Sequence, residues 1–176
     1  MKKLLLISAV SMVFTAFAAE MKLDFSSPAP WKIMRNHSKR VKFETKEFKG
    51  KKATVVSHLP DIKGSDTAFS LATDFFTVKD KKSVNVKFSF LAAKGMKDFK
   101  GGGYWCNAVR FFKADGKEIL PESRIILPPA TGVYQNVTVD IPVPAGAVKA
   151  YCHFGFDNPN ISKNNIFAIT DVVITY

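Results

Sequence analysis

The stretch GGGYWCNAVRFF, residues 101 to 112, gathers side chains that could recognise a ligand. Read as a strand, it has two faces. Trp105, Asn107, Val109 and Phe111 share one; Tyr104, Cys106, Ala108, Arg110 and Phe112 share the other. Arg110 is costly to bury unpaired. Val109 and Phe111 are therefore expected to turn inward, leaving Tyr104 and Arg110 outside. The segment VKAYCHFGF, 148 to 156, behaves alike, with Cys152 and Phe154 inward and Tyr151 and His153 outward. Trp105 beside the glycine run, and Trp31 after Pro28-Ala29-Pro30, complete the candidate set as ring platforms. Aromatic rings stack on the C–H faces of sugars, and Arg, Asn and His hydrogen-bond their hydroxyls. Ligand sites in general combine an apolar platform with a few polar groups. The competing reading is a core: the chain has 16 Phe, and Trp105 in particular suits an interior.

Signs of catalysis are missing. His37, His58 and His153 show no metal-ligand spacing such as HExxH. No G-x-S-x-G elbow occurs. A glycosidase needs two carboxylates flanking the scissile bond, and Asp140, Asp157 and Asp171 read as turn or edge residues. His153 adjoins Cys152, but alternation points the two apart, so they make no thiol dyad. The expectation is a protein that is not an enzyme. A carboxylate pair assembled from distant strands would leave no mark on the sequence.

The elements that must position these residues are strands. No long segment has helical apolar spacing; short runs alternate with period two between turn residues. From 83 to 91, Val84, Val86, Phe88 and Phe90 share one face. From 133 to 141, Val133, Val137, Val139 and Ile141 do the same. Further strands are expected near 40–46, 53–58, 67–71, 74–78, 104–113, 117–120, 123–127 and 166–176. Asp115-Gly116 suits a tight hairpin, and Pro142 and Pro144-Ala145-Gly146 break the chain. This pattern predicts an all-β antiparallel β-sandwich of jelly-roll type with little or no helix.

Lys2 and Lys3, the apolar run Leu4 to Phe17 and Ala16-Phe17-Ala18 read as a secretory signal peptide over 1–18. The remainder, 19–176, is expected as one domain, with 19–39 a loosely ordered lead-in strand and loop, secreted to the periplasm or the exterior. No later stretch approaches the ~20 apolar residues of a membrane span. Cys106 and Cys152 are either a disulfide pair or two buried thiols. The chain carries a formal charge of +11, and residues 30 to 52 hold nine basic residues against Glu44 and Glu47. That segment suits an anionic partner such as an acidic glycan or lipid head groups, or is a solvated edge that resists aggregation. A nucleic-acid partner is not expected.

In order, "SVNVKFSFLAAKG", "AVRFFKADGKEI", "GVYQNVTVDIPVPAGAVKAYCHFGFDN" and "NIFAITDVVITY" resemble the galactose-binding-like jelly rolls, above all carbohydrate-binding modules of families 4 and 9. The likeness covers roughly 66–176. It implies a secreted domain that binds glycan on a concave sheet or at loop tips. It also implies a structural calcium ion held partly by closing aspartates. Here the first of those is Thr170, which leaves Asp171, with Asp24 placed as a second ligand by position. No other cofactor is called for. The sequence therefore points to non-catalytic glycan binding. The alternatives are a cell-envelope interaction protein with an anionic or protein partner, and a small polysaccharide-active enzyme.

Overall fold

The structure is a computed structural model that describes residues 18–27, 30–36, 41–58, 69–94, 104–105, 107–157 and 166–176. The expected leader and Cys106 lie outside these residues, and Tyr104 and Trp105 are described by their backbone alone. In chain order the strands are β1 (Glu20–Lys22), β2 (Lys32–Asn36), β3 (Val41–Phe48), β4 (Lys51–His58), β5 (Phe69–Ala72), β6 (Phe76–Thr77) and β7 (Ser83–Ala92). They continue as β8 (Tyr104–Trp105), β9 (Ala108–Phe112), β10 (Glu118–Arg124), β11 (Gln135–Pro142), β12 (Lys149–Asp157) and β13 (Ile166–Thr175). Every pairing among them is antiparallel, and no helix occurs among the described residues. The fold is all-β.

Two sheets form a sandwich. One has the order β11-β7-β13-β4-β3, with β1 beside the end of β13; the other has β10-β9-β12-β5-β2, with β6 and β8 also on β12. The lead-in segment therefore contributes a strand to each sheet. Strands β8 and β9 keep a single register on β12, from Tyr104↔Asp157 to Phe112↔Lys149. The two strands expected at 117–120 and 123–127 are replaced by one, β10, whose register on β9 shifts between Ile119 and Ser123.

The alternations seen in the sequence decide the faces. Val84, Val86, Phe88 and Phe90 of β7, Val137 and Ile141 of β11, and Ala150, Cys152 and Phe154 of β12 all enter the common core. The turns follow residue chemistry. Lys49 and Gly50 both have positive φ, 48° and 80°, which is the turn that matches the twist of a two-residue hairpin between β3 and β4. Gly116, at φ 83°, closes the expected hairpin between β9 and β10, and the Asp115 carboxylate accepts the Lys117 amide at 3.0 Å.

β13 departs from simple alternation. Phe167 and Ile169 enter the core, and so do Val172 and Ile174. Odd positions give way to even ones because the register on β7 shifts between Thr170 and Val173. Asp171 sits at this bulge with φ 55°. The extra residue of a bulge lets one strand switch parity, and Asp is among the few side-chain-bearing residues that tolerate left-handed backbone.

Phe154 joins the layers. Its ring meets Trp31 at 5.4 Å and Phe88, from the opposite sheet, at 5.0 Å, both edge-on. It has no exposed surface. Replacing it with Ala should remove about 3–5 kcal/mol of stability, a large share of the total for a domain this size. Chemical denaturation of Phe154→Ala checks this; a loss under about 1 kcal/mol would mean that Phe154 does not hold the sheets together.

Candidate functional site

The outer face of the seven-stranded sheet is organised along β12. With Ala150, Cys152 and Phe154 committed to the core, the pleat turns Lys149, Tyr151 and His153 outward. On β9 the same rule buries Val109 and Phe111 and turns Ala108, Arg110 and Phe112 outward. Register brings Tyr151 directly opposite Arg110, and Lys149 opposite Phe112.

These residues build an aromatic cluster. Phe112 and Tyr151 stack at 5.6 Å with a 23° interplanar angle. Phe75, from the link between β5 and β6, stands edge-on to both, at 5.4 Å from Phe112 and 5.1 Å from Tyr151. Phe75 keeps 50% of its surface exposed, although an aromatic ring gains by burial. The Lys149 ammonium lies 4.9 Å from the Phe75 ring centre.

Polar groups flank the rings. Arg110 Nη1 is 3.5 Å from Glu118 Oε1, a loose ion pair with both side chains half-buried. His153 Nε2 and Ser70 Oγ are hydrogen-bonded partners, both buried. Ala72 and Ala108 are cross-strand partners of His153 and have almost no exposed surface. The face therefore has two parts: an aromatic end where Phe75 is exposed and Phe112 partly so over a buried Tyr151, and a small, closed end around His153.

The sequence-derived candidates separate accordingly. Arg110, Tyr151 and His153 share the outer face. Trp31 does not: it is a core residue, edge-on to Phe25 at 6.1 Å, and its indole N–H donates to Thr54 Oγ1 of the other sheet at 2.9 Å. The backbone of Tyr104 and Trp105 pairs with Asp157 and Phe156 at the far end of β12. Cys152 is a free thiol whose burial pushes its pKa up, so it is neither nucleophilic nor redox-active as it stands. Two rings were missed. Phe112 has the parity of Arg110, a signal the sequence offered. Phe75 joins by tertiary contact and offered none.

Asp171 and Asp24, the residues expected to ligate calcium, each have protein partners. The Asp171 carboxylate accepts from Lys51 Nζ at 2.5 Å and from Ser89 Oγ at 3.0 Å. Lys51 Nζ also reaches Ser89 Oγ at 3.2 Å and lies 5.5 Å from the Tyr134 ring centre. The Lys51 ammonium is thus paired with the Asp171 carboxylate. Asp24 accepts the Ser26 amide at 2.7 Å within its own turn. Calcium takes six to eight oxygens, and among the described residues no three His, Cys, Asp or Glu converge.

The basic segment is divided by the fold. β2 lies at an edge of one sheet, β3 at an edge of the other. Lys32 pairs with Asp74, Lys42 and Lys46 both bind Glu44 at 2.8 Å, and Lys51 is committed to Asp171. Hydrogen bonds from Lys42 and then Lys46 draw the Glu44 carboxyl down to about 2. Four of the basic side chains thus have carboxylate partners, with Lys42 and Lys46 sharing Glu44 on the edge strand β3, where charge discourages edge-to-edge aggregation.

Comparison with solved structures places the fold among known sandwiches. The enzymatically active domain of tailspike protein 4 from bacteriophage CBA120 aligns with a TM-score of 0.57 at 15% identity, over 85% of this chain and 20% of that one. The chain thus spans about a fifth of the phage protein. The CBM22-1 xylan-binding domain from Paenibacillus barcinonensis aligns with a TM-score of 0.51 at 8% identity, over 89% of this chain and 91% of that one. CBM27-1 of Caldicellulosiruptor saccharolyticus, solved with mannohexaose, aligns with a TM-score of 0.45 at 16% identity, over 88% and 96%. No protein-family model and no curated protein sequence matches the chain. At these identities the likeness is one of fold.

Asp171 gives a pH prediction. Hydrogen bonding from Lys51, then from Ser89, holds its carboxyl below the ordinary 3.8 against an opposing desolvation effect. A depressed carboxyl stabilises the fold above its unfolded value and loses that contribution as pH falls through the folded one. Melting temperature should therefore begin to drop below 3.8. Asp171→Asn keeps the left-handed backbone and removes the charge, so it should flatten part of that drop and cost about 0.5–1 kcal/mol at neutral pH, as expected for an exposed pair. Asp171→Ala should cost about 1 kcal/mol more, from backbone strain. Equal losses for the two variants would show that the bulge carries no conformational constraint.

Proposed function

We propose that this chain is a secreted, non-catalytic carbohydrate-binding protein of the galactose-binding-like kind that includes families 4 and 9. Its binding surface is the outer face of the seven-stranded sheet. The observation that carries this reading is the cluster of Phe75, Phe112 and Tyr151, left accessible at Phe75, whereas the other aromatic side chains among the described residues are buried or half-buried. A pyranose ring needs such an apolar platform with hydrogen-bonding groups at its rim, and Arg110, Glu118 and His153 lie on the same face. Neighbours of similar fold include a xylan-binding domain, which supports the reading. Arg110 is assigned as a contact together with Phe75 and Phe112, whereas the buried Tyr151 backs their rings and His153 orients the floor through Ser70.

A glycan array tests this. Binding to a defined sugar class is expected, and Phe75→Ala should weaken it tenfold or more, about 1.4 kcal/mol. Because Phe75 is half exposed, that variant should lose only about 1 kcal/mol of stability. Retained affinity in Phe75→Ala would move the site elsewhere, and silence across the array would overturn glycan binding.

A further inference from the structure

We propose that the glycan is acidic and that the Lys149 ammonium receives its carboxylate or sulfate. This rests on the glycan-binding reading above and adds the chemical class of ligand. Several charges on the segments that carry the aromatic cluster have carboxylate or ammonium partners. Arg110 faces Glu118 at 3.5 Å, Lys32 faces Asp74, and Lys117 faces Asp115 at 3.5 Å. Lys149 differs: no carboxylate among the described residues pairs with it, and its contact is the Phe75 ring at 4.9 Å. A ligand carboxylate could reach Arg110 only in competition with Glu118. Lys149 is open to one without that competition.

The placement suits a charged sugar. Lys149 and Tyr151 project from one face of β12 two residues apart, about 7 Å along the strand. Phe112 is the cross-strand neighbour of Lys149. A ring stacked on the cluster therefore brings a substituent of its rim to the ammonium. A lysine is a compact point charge on a flexible stem, so it accepts carboxylate and sulfate alike. It also exchanges a ring contact worth about 0.5–1 kcal/mol for a charge-assisted hydrogen bond, which is the stronger interaction.

Calorimetric titration of the protein with an oligogalacturonate, a sulfated oligosaccharide and a neutral oligosaccharide of equal length tests this. At least one acidic ligand should bind about tenfold tighter than the neutral one, about 1.4 kcal/mol. Lys149→Gln should remove that advantage and leave neutral affinity within about twofold, and Lys149→Arg should retain it. Moderate salt should mimic Lys149→Gln, since the charge is only partly buried. Whichever acidic arm binds tighter names the anion. Neutral sugar binding as tightly as the acidic ones, or an unchanged acidic affinity in Lys149→Gln, overturns the acidic class and leaves glycan binding standing. Silence with all three ligands overturns glycan binding itself.

Discussion

The placement of Phe154 between the sheets is the constraint on which the rest depends. Its ring touches Trp31 on one side and Phe88 of the opposing sheet on the other, with no exposed surface. Once that side chain points inward, the pleat of β12 leaves no choice for its neighbours. Cys152 and Ala150 follow it into the core, and Lys149, Tyr151 and His153 face out. Register then carries the constraint sideways. Arg110 must lie beside Tyr151, and Phe112 beside Lys149. The aromatic face is thus a consequence of core packing, and its geometry is as rigid as the core that sets it.

The opposite sheet solves a different problem. β13 is central, and it must bury side chains along its whole length while pairing with β7 on one edge and with β4 and then β1 on the other. A bulge at Asp171 switches its parity so that Ile169 and Val172 both face inward. The left-handed residue this requires also carries a negative charge, and Lys51 neutralises it within hydrogen-bond reach of Ser89. Ser89 in turn donates to Asn136 of β11 at 2.7 Å. A polar knot formed by side chains of four strands therefore sits over the bulge.

Burial on that sheet's outer side is also unusual. Ala53, Val55, Leu91 and Ala168 form a second apolar cluster, packed by Phe48, Tyr134 and Ile166. The Tyr134 hydroxyl donates to the Phe48 carbonyl at 3.2 Å, and Lys49 donates to the Gly132 carbonyl at 2.7 Å. These bonds tie the segment before β11 across the sheet. Desolvation, then the nearby Asp171 charge, raises the Tyr134 hydroxyl to about 12, so it stays a hydrogen-bond donor at any physiological pH. One sheet is closed on its outer side by its own side chains, whereas the other leaves Phe75 exposed on that side.

Much of this was legible in the sequence. The alternation of β7, β11 and β12 names their core faces, because period two admits only two assignments and the charges choose between them. The outward place of Arg110, Tyr151 and His153 follows from that logic, as do the hairpin at Gly116 and the all-β class. What remained invisible depends on contacts between distant segments. Trp31 reads as a loop aromatic, yet Thr54, from the other sheet, satisfies its indole and the core accepts it. Phe75 reads as one strand residue among many, and becomes the exposed ring only because the link between β5 and β6 lands beside β12. The basic run of 30–52 reads as one patch, yet its strands β2 and β3 lie in different sheets. Local periodicity decides which way a side chain points, since that is a property of one strand. Which residues meet is decided by the pairing of strands far apart in sequence, and there the tertiary structure alone had the information.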